Sequence, residues 1–119
     1  MTEPNSPVEI VNRQLRAYNS RDIDAYCALF APTAALSRLD TGQEIARGID
    51  AIAAYYTIRF KNPGLHCEVK SRVALGNFVI DHERVAGIDA GFLEVIAIYE
   101  VSHSLIQSVR FIWPQTKSE

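Results

Sequence analysis

The polar and apolar positions of residues 66–113 alternate with the period of a β-strand and break twice, at Gly76-Asn77 and at His103-Ser104. A Gly-Asn pair tolerates positive φ at both positions, which suits a two-residue hairpin turn. Counting outward from it pairs Leu75 with Phe78, Val73 with Ile80, Ser71 with His82 and Val69 with Arg84 on one face. Arg72 then meets Asp81, and Lys70 meets Glu83, on the other. One face is apolar and the other salt-paired, and a one-residue slip would bury four charges, so both patterns select this register. The apolar face is expected to point inward, which carries His82 into the core. The second hairpin, Phe92 to Ser102 and Leu105 to Trp113, pairs Ile98 with Val109, Ile96 with Phe111 and Glu94 with Trp113. Its other face carries Val95, Ala97, Tyr99, Arg110 and Ile112, also largely apolar, which leaves this strand open to reversal or to burial on both sides.

Upstream the period becomes helical. Val8, Val11, Leu15 and Tyr18 form one stripe, with Pro7 where a first helical turn accepts proline. Asp22 is placed to cap a second helix of about nine residues, which carries Ile23, Tyr26, Cys27 and Phe30 and ends at Pro32. A short strand, Ala34 to Leu39, leads through a turn at residues 40–43 to Arg47-Gly48. The third helix, Ile49 to Phe60, stops before Asn62-Pro63-Gly64 and presents Tyr55, Tyr56 and Phe60 as an aromatic edge. Helices first and antiparallel strands last make an α+β arrangement. Gly87 to Gly91 reads as a hairpin loop, and residues 1–6 and 115–119 as disordered ends.

A chain of 119 residues suits a single domain, 1–119, able to bury roughly two thirds of its unfolded surface. A net charge of −2 offers no basic surplus, so neither nucleic acid nor an anionic membrane is an expected partner. The N-terminus lacks a signal-peptide pattern and no apolar run is long enough to span a bilayer, which points to a cytoplasmic address. Cys27 and Cys67 are far apart and without ligand spacing, and read as reduced core residues. His66 and His103 have no second ligand at metal-binding spacing, and Gly87–Gly91 is no phosphate cradle; neither metal nor cofactor is expected.

Candidate chemistry concentrates on His82 and Glu94. Histidine suits proton transfer near neutrality, and a buried carboxylate would orient its ring and stabilise the imidazolium, as a lyase or isomerase step requires. Asp81 and Glu83 flank His82 in sequence but fall on the other face, where they read as surface ion-pair partners.

Asn19-Ser-Arg-Asp-Ile-Asp-Ala-Tyr-Cys-Ala-Leu-Phe across the first helical junction, Gly48-Ile-Asp-Ala-Ile-Ala-Ala-Tyr-Tyr opening the third helix and Leu105-Ile-Gln-Ser-Val-Arg-Phe-Ile-Trp in the last strand resemble the nuclear-transport-factor-2-like or SnoaL-like superfamily. That superfamily includes ketosteroid isomerase and scytalone dehydratase. The resemblance implies a cone-shaped α+β barrel, three helices on a strongly curved, mostly antiparallel sheet, with an apolar small-molecule cavity and frequent dimerisation through the sheet. Tyr56, Ile98, Val109, Phe111 and Trp113 would line the cavity. Where the ketosteroid isomerases have their general base this chain has Arg38, and their two oxyanion donors fall at Gln14 and Ile98; a guanidinium cannot serve as a base. Ketosteroid isomerisation is therefore not expected. The acidic pair that commonly follows the second helix is replaced by Pro32-Thr33. Arg38 would instead sit at the mouth and hold an anionic substrate group. Two readings follow: an enzyme acting on a small hydrophobic molecule through His82 and Glu94, or a noncatalytic binding or dimerisation module. A homodimer is expected through an outer face bearing Val95, Ala97, Tyr99 and Ile112.

Overall fold

The computed structural model describes residues 5–88 and 91–114. Its elements are α1 (Pro7–Ser20), α2 (Ile23–Cys27), β1 (Phe30–Arg38), β2 (Glu44–Arg47), α3 (Ile49–Arg59), β3 (His66–Leu75), β4 (Phe78–Ala86), β5 (Phe92–Ser102) and β6 (Leu105–Ile112). Six strands form one curved sheet in the order β2-β1-β6-β5-β4-β3, with β1 and β6 parallel and all other neighbours antiparallel. Helices α1 and α3 pack on one face, and α2 lies between them. The α+β expectation holds. The barrel is corrected in one respect: the sheet is not closed. Of the ends expected to be disordered, residues 1–4 and 115–119, like the middle of the Gly87–Gly91 loop, lie outside the described residues, while Ser6 instead serves as a helix cap.

Local chemistry sets the helix ends. Ser6 caps α1 by accepting from the Glu9 N–H. At its other end the Asn19 amide both accepts from the Cys67 N–H (2.8 Å) and donates to the Cys67 carbonyl (3.0 Å), so it fixes α1 against the start of β3 as a strand partner would. Asp22 caps α2 as expected, but this helix stops at Cys27 and not at Pro32. The chain is already extended at Phe30, and Pro32 lies in the irregular stretch between the Phe30–Ile106 and Ala35–Ser108 pairs, where its missing N–H removes no ladder bond. Strand β2, unforeseen in the sequence, forms a hairpin with β1.

The first hairpin keeps its expected register from Leu75–Phe78 to Ser71–His82, after which a bulge at Lys70 sets Glu83 opposite Val69 and Arg84 opposite Glu68. The second turns at His103-Ser104, and a bulge at Gln107 shifts it by one residue, giving Ile98–Arg110 and Ile96–Ile112.

The inward face of β4 and β5 is the reverse of the sequence expectation. Val79, Asp81, Glu83 and Val85 on β4, and Val95, Ala97, Tyr99 and Val101 on β5, are buried, while His82, Glu94, Ile96 and Ile98 occupy the other side. The dimer face proposed from Val95, Ala97 and Tyr99 is thus interior; of that group only Ile112 is outside it. The cause lies in β5. Its outer side carries Glu94 and Glu100 and its inner side no charge, so the uncharged side packs under the helices. Because Asp81 pairs with Ala97 and Glu83 with Val95, β4 turns with it and both acids go inward. They are compensated there. Arg72 forks onto Asp81 at 2.6 and 2.9 Å and reaches Asn12 of α1 at 2.6 Å, and Glu83 accepts from Tyr99. Between the helices Tyr18, Tyr26, Phe30, Tyr56 and Phe60 stack edge-on and tilted as an aromatic core. No helix of the described residues is long and apolar enough to cross a membrane.

Candidate functional site

Between the helices and the inner face of β4, β5 and β6 lies a cavity of about 230 Å³. Val85, Leu93, Val95, Val109 and Phe111 supply sheet-side apolar walls, and Tyr18, Tyr26, Tyr55 and Tyr56 the helix side. The polar groups on its wall include the side chains of Gln14, Arg59, Cys67 and Glu83 and the tyrosine hydroxyls.

Among the described residues Glu83 is the carboxylate that borders the cavity, and it is 6% exposed. Tyr99, on the neighbouring strand four residues beyond Glu83's partner Val95, donates its hydroxyl to Glu83 Oε2 at 3.1 Å and lies 3.3 Å from Gln14 Oε1. Gln14 in turn donates from Nε2 to the Tyr26 hydroxyl at 3.3 Å. The alternation of β4 and β5 places Glu83 and Tyr99 on one side, and the buried stripe of α1 delivers Gln14 above them. Burial, reinforced by the Asp81 charge, pushes Glu83 up to about 7, against the opposing pull of Tyr99, the neighbouring Cys67 thiol and Arg72. Burial also raises Tyr99, Tyr26 and the Cys67 thiol, so these groups stay protonated near neutrality. Glu83 can therefore take or give a proton near pH 7, beside a fixed phenolic donor.

Arg59, the last residue of α3, also borders the cavity; its Nη2 donates to the Tyr55 hydroxyl at 3.0 Å and its guanidinium lies 5.0 Å from the centre of the Tyr55 ring.

Of the residues singled out in the sequence, Gln14, Tyr56, Val109, Phe111 and Trp113 border the cavity. Arg38 and Ile98 do not. Ile98 is on the outer side of β5, so Tyr99 takes the inward position there. Arg38 is buried but committed: it forks onto Asp40 at 3.1 and 2.8 Å, donates to the Trp113 carbonyl at 2.9 Å and lies 4.3 Å from the Trp113 ring centre. His82 and Glu94 do meet, with 2.5 Å between Nε2 and Oε1, but on the outer face, where their side chains are 41% and 54% exposed. They edge an open depression with Ile96, Ile112 and Trp113. This corrects their expected inward placement and removes the desolvation on which their acid-base pairing was argued.

Glu83, Tyr99, Tyr26 and Arg59 escaped the sequence reading. A signal for Glu83 was present: Val79, Asp81, Glu83 and Val85 share one parity, and a carboxylate between two valines is flanked as a core residue is.

The model of the SnoaL-like domain family matches residues 11–109. Among solved structures, an uncharacterised cystatin-fold protein from Novosphingobium aromaticivorans is 23% identical, with TM-score 0.81 over 90% of this chain and 97% of that one. A nuclear-transport-factor-2-like protein of unknown function from Cytophaga hutchinsonii is 12% identical, with TM-score 0.78 over 96% and 95%. A candidate polyketide cyclase from Sinorhizobium meliloti is 22% identical, with TM-score 0.75 over 87% and 94%. At these identities the likeness is one of fold. No protein of curated function matches in sequence.

Proposed function

The chain belongs to the SnoaL-like domain family, and from that premise we propose that its cavity binds a small, mostly apolar molecule with an enolisable carbonyl and that Glu83 moves a proton at the carbon beside it. The observation that carries this reading is a buried carboxylate raised to about 7, bordering a largely apolar cavity with a phenol 3.1 Å away. Ionised Glu83 takes the proton, the C–H electron pair becomes the C=C bond of an enolate, and the charge passes to the carbonyl oxygen. Once Glu83 carries the proton, the Tyr99 O–H that it held is freed to donate to that oxygen, and protonated Glu83 then returns the proton to the same or another carbon. The step is of the isomerase, lyase or cyclase kind. Ketosteroid isomerisation stands outside this reading, because Arg38 replaces the base on β1 and is tied to Asp40 and Trp113.

One observation favours the alternative, binding without turnover: among the described residues no buried side-chain polar atom lacks a partner, so the cavity is satisfied without a reacting group. Deuterium exchange decides between them. With 2-tetralone in D₂O followed by ¹H NMR, the wild-type protein is expected to speed loss of the α-proton signals well above buffer. Glu83→Gln is expected to lower that acceleration by about 10²-fold or more. Wild-type exchange no faster than buffer would leave the binding module standing. We further propose that the chain pairs with a second copy through the outer sheet face, on the apolar residues of β3 and β4.

A further inference from the structure

We infer that Arg59 is the anion-binding pole of the cavity and that the ligand is a carboxylate-bearing carbonyl or hydroxy compound; this rests on the small-molecule reading of the cavity given above. Among the described residues that border the cavity, Arg59 is the one cation and Glu83 the one carboxylate. They belong to different layers, α3 and β4, with Tyr56 close enough to feel both charges. Arg38 and Arg72, the other arginines drawn well into the protein, each fork onto a carboxylate. Arg59 does not: its partners are the hydroxyls of Tyr55 and Tyr18 and the face of the Tyr55 ring, all neutral, and no acid among the described residues lies within ion-pair distance of it.

A guanidinium has five N–H donors in a planar fork, and these contacts leave part of that fork unused. A half-buried cation without a counter-charge gains most from a ligand that supplies one. A plainer role is available, since a cation in the last turn of a helix favours the helix dipole. That role asks only for a charge in the last turn, and it does not account for a guanidinium drawn over Tyr55 at the cavity wall. One guanidinium balances one negative charge, which favours a carboxylate over a dianionic phosphate. With the carboxylate at Arg59 and apolar walls between, the ligand's carbonyl or hydroxyl oxygen is left for Glu83 and Tyr99. Arg59 is in this sense a specificity residue: it selects and orients, while the proton moves elsewhere.

Isothermal titration with 6-hydroxy-2-naphthoate and its neutral primary amide tests the assignment. The wild-type protein should bind the carboxylate about tenfold or more tightly than the amide, the ratio expected from one charge-assisted hydrogen-bonded contact. Arg59→Gln should bring the two affinities within about twofold of each other, chiefly by weakening the carboxylate, and Arg59→Lys should retain part of the preference because it keeps the charge. Equal wild-type affinities, or a preference that survives in Arg59→Gln, would overturn the anion pole while leaving the cavity reading intact. Failure of both compounds to bind would overturn the two together. Circular dichroism of each variant separates lost recognition from lost fold.

Discussion

Glu83 illustrates how one side chain couples a site to the stability of its fold. Its ordinary value is 4.5 and its value in the folded chain about 7, so between those two the unfolded chain has released a proton that the folded chain retains. The unfolded state binds fewer protons in that window, and stability must fall as pH rises from about 4.5 to about 7, then level off. The shift corresponds to about 3 kcal/mol. Glutamine keeps the shape and cannot ionise; urea unfolding should therefore show Glu83→Gln close to wild type near pH 4.5 and more stable by up to about 3 kcal/mol at pH 8. A difference between the two proteins that stays constant with pH would mean that Glu83 is ionised at all these values. The sequence made Asp81-His82-Glu83 conspicuous and then turned the wrong member inward, because partners that make an inward acid tolerable, Asn12 beside Arg72 and Tyr99 beside Glu83, are distant in sequence. Gln14 and Tyr56 were legible through the family resemblance; Arg59 was not, since nothing local tells a helix-terminal arginine in water from one at a cavity wall.

At the scale of elements, turns and caps were readable because their causes are local. Asp22 caps a helix, Gly76-Asn77 and His103-Ser104 turn hairpins, and Arg72 meets Asp81, as a few adjacent residues dictate. The bulges at Lys70 and Gln107 were not, because they depend on what packs above the sheet, and for β5 reversal stayed open although its two glutamates share one side. Alternation says which residues share a side and leaves open which side is covered. The second turn carries a strain that can be relieved. His103 and Ser104 have φ of 54° and 64°, the left-handed region that a two-residue hairpin of this type requires and that glycine adopts freely. Ser104 is exposed, so Ser104→Gly should raise the unfolding free energy by about 0.5–1 kcal/mol, measured by thermal or urea denaturation. A loss of stability would show that the Ser104 side chain contributes more than its backbone conformation costs.

The face inversion that carried Asp81 and Glu83 inward left apolar side chains outside. Leu75 is 81% exposed, Val73 64%, Phe78 42% and Ile80 38%, and the register continues this strip across the sheet, since Ile80 pairs with Ile98, and Ile96 with Ile112. Apolar residues scattered singly need no explanation, whereas a continuous strip over four neighbouring strands exceeds what soluble monomers usually leave in water. Self-pairing about a two-fold axis would cover it with the same strip of a second copy, and Glu100, Arg110 and the His82–Glu94 pair lie on the same side as its polar members. The proposed homodimer is thereby moved from the Val95, Ala97 and Tyr99 side, which the helices occupy, to the opposite one. Light scattering on the purified wild-type protein should then give twice the chain mass of 13.3 kDa at micromolar concentration. Ile80→Glu or Ile98→Lys should reduce it to the single-chain mass with the circular dichroism spectrum unchanged, because both positions lie outside the core. Wild-type protein at the single-chain mass would remove the dimer, and variants that remain dimeric would place the contact on another surface.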